Sequence, residues 1–220
     1  MNYLRKILVV VILAVSTISY GQDLATLNGK PHQETSSDGA RSIYLLPNSY
    51  SGSIRMQDDK FYDGVQLRYD IVNDEIEYSK DSALFRISDS VKEFTIPSGI
   101  DLYTFRSGFP TIKGLTGKSF YRVMYDGETK LLKRYQSQIK EEKANATVNM
   151  EPDAKLYIVK GDKLSAVSLK DKNSFLKLLT DEKNKMQWVI KEENLEFDGD
   201  DDLVKLLEEY DSYKAGRGGN

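Results

Sequence analysis

The residue types that carry most enzyme chemistry are scarce in this sequence of 220 residues. It contains no cysteine and a single histidine, His32. Disulfides, thiolate metal sites, cysteine nucleophiles and multi-histidine metal centres are therefore excluded. His32 lies in a polar stretch with glycine, proline and several Ser/Thr residues, which predicts a flexible N-terminal arm over 22–42. We therefore predict no catalytic residue, no metal site and no cofactor.

The densest group of carboxylates, Asp198 to Asp202, has a spacing that partly matches a calcium loop. Asp198, Asp200, Asp202 and Glu209 fall at positions 1, 3, 5 and 12 of an EF-hand. Position 6 of that loop requires glycine for its sharp turn, and this chain has Leu203 there. The cluster therefore indicates a turn followed by an acidic helix N-terminus.

Other catalytic patterns fail on spacing. The glycines at 114 and 117, followed by Lys118 and Ser119, lack the upstream glycine of a phosphate loop, because the position five residues before Gly117 is Ile112. A carboxylate pair of the glycosidase type needs only two acids, and the 34 Asp and Glu residues leave that alternative open without locating it.

Tyrosine is the most abundant aromatic residue, with 14 copies against 8 Phe and 1 Trp. Aromatic side chains on strands either stack on sugars and peptides or pack on a pleated, half-buried surface. Candidate contact residues for a ligand or partner are Tyr69, Tyr103, Tyr121, Tyr125 and Trp188.

The elements that would position these residues follow from hydrophobic periodicity. Over 43–136 the period is 2, most clearly where Val65, Leu67, Tyr69 and Ile71 alternate with polar residues. Turn residues between short alternating runs predict an antiparallel β meander, closed as a barrel or packed as a sandwich. Asp126-Gly127 is predicted to form a tight type I′ turn.

The second half of the chain switches period. A charged linker is predicted over 137–153, and a β-hairpin plus helices over 154–213, with the hairpin turn at Gly161-Asp162. Leu203, Leu206, Leu207 and Tyr210 follow the i, i+3, i+4, i+7 pattern of an amphipathic helix. A glycine-rich disordered tail is expected over 214–220, and the predicted fold class is α+β.

The N-terminus has the pattern of a secretory signal peptide over 1–21. Arg5 and Lys6 precede a short apolar run that ends in small residues, and cleavage is expected after Gly21. The run is too short to span a bilayer, and no later segment is predicted to do so. Loss of the two basic residues changes the formal charge from -3 to -5, which argues against nucleic-acid binding.

Three stretches carry a resemblance to a known group of proteins: Gly64 to Asp70, Phe120 to Gly127, and the ending from Trp188 to Tyr210. With the Ser-Tyr-Gly-Gln exit of the signal, the chain resembles small exported β-rich proteins of unassigned function common in Bacteroidota. The resemblance implies export and a β-rich front with a helical end, and it implies no catalytic residue.

We therefore expect a non-enzymatic protein of the cell envelope, periplasmic or extracellular, that binds a protein or small ligand. Its partner would be an envelope protein or a glycan. Two alternatives remain: a carboxylate-based hydrolase acting on surface glycans, and a structural subunit that docks on an envelope complex through an apolar patch around Trp188.

Overall fold

A computed structural model describes residues 23–33, 44–136 and 153–216. These residues form eleven strands and three α-helices, with two short 3-10 turns at Leu24–Thr26 and Thr180–Glu182. The strands are β1 Lys30–His32, β2 Tyr50–Met56, β3 Phe61–Asp70, β4 Glu75–Lys80, β5 Ala83–Ile87, β6 Val91–Ser98, β7 Asp101–Arg106, β8 Tyr121–Asp126, β9 Thr129–Gln136, β10 Asp153–Lys160 and β11 Lys163–Val167. The helices are α1 Lys172–Leu176, α2 Lys183–Glu192 and α3 Asp200–Lys214.

All eleven strands belong to one antiparallel sheet. Their order is β1-β5-β4-β3-β2-β6-β7-β8-β9-β10-β11, so β6 to β11 form an uninterrupted meander. The sheet is unclosed, with β1 and β11 at its edges. The predicted α+β class, a β meander followed by a hairpin and C-terminal helices, is confirmed.

The first core lies on one face of β2 to β7, where the predicted alternation holds. Val65, Leu67, Tyr69 and Ile71 are all buried, as the period of 2 requires. The rings of Phe94 and Phe105 stack in this core with centroids 4.8 Å apart. Burial of large aromatic side chains is a main source of the stability of such a sheet.

The second core lies between the helices and the C-terminal strands. The predicted stripe on α3 is buried at Leu203, Leu206, Leu207 and Tyr210, and it packs over Leu131 of β9 and its neighbours. The opposite face of these strands carries a smaller buried group, Tyr121, Leu132, Tyr157, Val159 and Leu164, under the loop that joins β7 to β8.

The acidic start of α3 differs in detail from the predicted cap. Gly199 is the N-cap residue and makes no side-chain cap bond. Asp202 instead accepts bonds from the backbone amides of Glu196 at 3.0 Å and Phe197 at 2.7 Å. Both amides donate to Oδ2 of Asp202, so this carboxylate fixes the segment before α3 to the first turn of the helix.

One sheet passes through both predicted domains, because β9 pairs with β10 from Gln136↔Asp153 to Thr129↔Lys160. The predicted signal peptide lies outside the described residues, and so do 137–152 of the predicted linker and 217–220 of the tail. At its start, the predicted tail overlaps α3, which ends at Lys214.

The prediction of a flexible arm is wrong for the first part of 22–42. Leu27 is buried in the first core, and Lys30–His32 pair with β5. The Tyr78 hydroxyl bonds this segment twice, accepting from the Gly29 amide at 2.8 Å and donating to the Leu27 carbonyl at 3.1 Å. The polar composition of this segment gave no indication that Leu27 packs against the sheet. The remainder, 34–42, lies outside the described residues.

The predicted type I′ turn at Asp126-Gly127 is also wrong, because neither residue has a positive φ. The glycine is needed for another reason. A Cβ at Gly127 would collide with the Tyr125 hydroxyl and with a carboxylate oxygen of Asp211 on α3.

Candidate functional site

Two of the predicted contact tyrosines are core residues. Tyr69 and Tyr121 are each only 1% exposed, so neither reaches a ligand at the surface. Tyr69 packs against Phe94 and Phe105, and its hydroxyl donates to Asp74 at 2.5 Å. Burial raises the pKa of Tyr69 well above its ordinary value, and burial raises that of Tyr121 to about 12. Both phenols therefore stay neutral, and their predicted contact role is corrected.

The other two tyrosines are half-buried and already engaged within the chain. The Arg122 guanidinium stacks over the Tyr103 ring, 3.6 Å from its centroid. The Tyr125 hydroxyl donates to Asp211 at 2.9 Å. Burial raises the pKa of Tyr125, and the bond to Asp211 raises it further, so the phenol keeps its proton. Both side chains fix neighbouring elements to one another.

Trp188 is exposed over 54% of its surface, on the outer side of α2. One turn away along the helix lie Lys185 and Lys191, both exposed. No other large exposed apolar side chain of the described residues belongs to α2. The apolar patch that would favour docking through this helix is therefore not present around Trp188.

A cleft of about 470 Å³ lies where the end of α3 meets two strand turns. We call it the α3 cleft. Its lining residues are Glu128, Thr129, Lys160, Gly161, Tyr210, Asp211, Lys214 and Ala215.

The two lysines at the α3 cleft are paired with a neighbouring carboxylate, that of Asp181. The ammonium groups of Lys160 and Lys214 lie 2.9 and 3.1 Å from Asp181, and the Tyr210 hydroxyl donates to the same carboxylate at 2.8 Å. Burial would raise the pKa of Asp181, but these three donors outweigh it and lower the pKa below its ordinary value. Asp181 therefore stays ionised and is unsuited to act as a general acid.

Asp211, on the other side of the α3 cleft, is a structural clasp. It accepts bonds from the Thr129 amide at 3.0 Å and the Thr129 hydroxyl at 3.0 Å, besides that of Tyr125. Its carboxylate thus fixes α3 to the turn between β8 and β9. The alternative of a glycosidase-type acid pair, left open by the sequence, gains no general acid from Asp181.

A second polar group lies on the face of β1, β5, β4 and β3 opposite the first core. Glu77 is 1% exposed, accepts from Arg68 at 2.5 Å and Tyr44 at 2.8 Å, and lies 3.5 Å from His32. The sequence placed His32 in an exposed arm, whereas it is largely buried beside this carboxylate. Among the residues that the structure describes, no group of three or more His, Asp or Glu side chains is suited to hold a metal ion.

The hairpin between β6 and β7 presents apolar side chains that stay exposed among the described residues. Ile100 is 105% exposed and Leu102 61% exposed. Leu102 lies directly across the ladder from Pro97, and Ile100 lies in the turn between their strands. We call these three residues the β6–β7 tip.

Gly99 shapes the tip. Its φ of +62° at the first turn position suits a type II′ turn, which places Ile100 at the outermost point of the hairpin. The turn residues between alternating runs predicted a hairpin of this kind, but Ile100 and Leu102 were not predicted to be exposed. The available signal was an isoleucine directly after a turn glycine, where no strand neighbour can bury it.

No protein-family model, no curated protein and no solved structure matches this chain. Within the described residues, none of the helices combines the length and the hydrophobicity that a membrane crossing requires.

Proposed function

We propose that this chain is an exported, non-catalytic binding protein of the cell envelope that contacts a protein partner through the β6–β7 tip. The exposure of Ile100 and Leu102 carries the proposal. Apolar surface taken out of water contributes about 25 cal/mol per Å², so a partner that covers these side chains gains affinity from them. The α3 cleft offers less, because its two lysines already bond the Asp181 carboxylate.

The chemistry of the β6–β7 tip favours a protein over a lipid or a glycan. The hairpin turn carries Asp101 and no basic residue, so it has no attraction for anionic lipid headgroups. Sugars stack on exposed aromatic rings, and this surface is aliphatic. An apolar pocket on a protein partner is the complement of Ile100 and Leu102.

Export is part of the proposal and is supported by the signal-like pattern of residues 1–21. Expression of the whole chain in a Gram-negative host followed by N-terminal sequencing checks it. We expect the exported product to begin at Gln22. A product that keeps Met1 and stays in the cytoplasm would contradict export.

The contact is tested by photo-crosslinking. A benzophenone amino acid placed at Ile100 should give a discrete higher-mass adduct in the native envelope, and the same probe at Trp188 should give none. The additional change Leu102→Ser should suppress the adduct while leaving the melting temperature unchanged, because neither side chain is buried.

Two outcomes would overturn the proposal. One is the absence of any adduct from Ile100. The other is an equal adduct from Ile100 and Trp188, which would show collisional labelling without a specific surface.

A further inference from the structure

The last strand of the sheet has an unpaired side. β11 is joined to β10 by the two-residue turn Gly161-Asp162, so Lys160 and Lys163 form the hydrogen-bonded pair next to the turn. Pairs of this type alternate along an antiparallel ladder. The backbone N–H and C=O groups of Leu164 and Ala166 therefore point away from β10.

Nothing among the described residues bonds these groups, and β11 ends the sheet there. An open edge of this kind is a template for one more strand. The opposite edge is a poorer one, because β1 has three residues and Pro31 among them lacks an amide hydrogen.

Charges around β11 select the kind of strand that can pair. Lys163 begins the strand, Lys170 follows it in the next turn, and Lys155 lies on β10 beside its far end. All three are exposed, and none forms an ion pair with an acidic side chain of the described residues. Exposed Asp162 and Asp171 flank the strand at its two ends, whereas β11 itself, Lys-Leu-Ser-Ala-Val, contains a lysine and no carboxylate.

The two faces of the edge differ. Leu164 and Ala166 lie on the face of the small buried group around Tyr157, and Ala166 is exposed and small enough to leave room beside it. Lys163 and Ser165 lie on the helix face, by the alternation of the strand. A strand added here would place alternate side chains beside an apolar surface and beside a lysine.

We infer that the free edge of β11 binds an extended peptide segment in which acidic and apolar residues alternate, as a twelfth strand of the sheet. Acidic side chains of the segment face Lys163, and apolar side chains cover Leu164 and Ala166. A second copy of β11 is a poor occupant, because it brings another lysine and no carboxylate within the strand to pair with Lys163. The inference is independent of the β6–β7 tip.

The test is a titration of the full chain with a fluorescein-labelled peptide of alternating Val and Glu, followed by fluorescence anisotropy. We expect saturable binding, and at least tenfold weaker binding of the matched Val–Lys peptide. Ala166→Pro removes an outward amide without touching the bonds to β10, and it should abolish binding. Ala166→Val keeps the amide and should retain binding.

A charge exchange keeps the inference testable even where the proline variant does not fold. The variant Lys163→Glu with Lys170→Glu changes only exposed side chains, and it should prefer the Val–Lys peptide over the Val–Glu peptide. Hydrogen exchange should show new protection of the Leu164 and Ala166 amides when the Val–Glu peptide is bound.

Three results would overturn the inference. They are the absence of binding to the Val–Glu peptide, equal binding by a folded Ala166→Pro variant, and protection that appears on Lys30–His32 instead of on β11.

Discussion

Arg134 on β9 and Asp74 in the turn between β3 and β4 form an ion pair with 3.0 Å between Nη1 and Oδ2. Four strands, β2, β6, β7 and β8, separate β3 from β9 in the sheet order. The sheet therefore curls around the first core until a turn of one half meets a strand of the other. Asp74 also accepts the Tyr69 hydroxyl, and Arg134 donates to the Phe120 carbonyl at 2.9 Å.

Asp74→Asn should destabilise the fold strongly. The change leaves Arg134, a largely buried guanidinium, without its counter-charge, and such a loss costs about 2–4 kcal/mol of unfolding free energy. Urea denaturation measures it. Asp58→Asn is the matched control, since its pair with Lys60 is exposed at both ends and should change nothing measurable. Equal effects of the two changes would show that the Arg134 pair has no special role.

The stability contributed by Asp181 should disappear in acid. Burial opposes ionisation, but bonds from Lys160, Tyr210 and Lys214 prevail and hold the pKa of Asp181 below its ordinary value of 3.8. A carboxyl whose pKa is lower in the folded state stabilises the fold above its unfolded pKa, and the contribution fades as pH falls towards the folded one.

The comparison of the wild-type chain with Asp181→Asn checks this directly. The wild-type chain should be more stable near pH 6, and the difference should shrink steadily as the pH falls below about 4. Chemical denaturation at a series of pH values measures both curves. A difference that stays constant down to pH 2 would show that ionised Asp181 does not stabilise the fold.

Asp211 should matter more than its partner Tyr125. Tyr125→Phe removes one hydrogen bond and should lower the unfolding free energy by about 1 kcal/mol. Asp211→Ala leaves the Tyr125 hydroxyl and both Thr129 donors without their acceptor, so a loss of about 2–3 kcal/mol is expected. Hydrogen exchange at the Thr129 amide should accelerate in the second variant only. A larger loss of unfolding free energy in Tyr125→Phe than in Asp211→Ala would show that Asp211 does not hold α3 to the turn.

Leu27→Ala should show that the segment before β1 is part of the fold. Leu27 is 1% exposed in the first core, and truncation of such a leucine costs about 2–4 kcal/mol. Leu24→Ala is the control, because Leu24 is only partly buried and should cost clearly less. A negligible effect of Leu27→Ala in thermal denaturation would support the prediction that this segment is a flexible arm.

The exposure of the β6–β7 tip could not be predicted from the sequence. Ile100 and Leu102 are residue types that usually fill cores, and no local pattern marked them as exposed. Whether a strand residue is covered depends on where the neighbouring layer ends, and at the β6–β7 tip the hairpin extends past it. Tyr69 and Tyr121 show the opposite error. They were predicted to contact a ligand or partner, yet the curled sheet encloses both rings.

The sequence by itself determined the element types, because periods of 2 and 3.6 are local properties that each segment carries. Val65 to Ile71 and the Leu203 stripe were assigned to their buried faces on that basis. The tertiary structure alone decided which strands are neighbours and how far the sheet curls. Contacts such as Arg134–Asp74, the docking of Leu27 and the free edge of β11 depend on segments far apart in the chain. No local pattern encodes them, since they arise only when the whole sheet has formed.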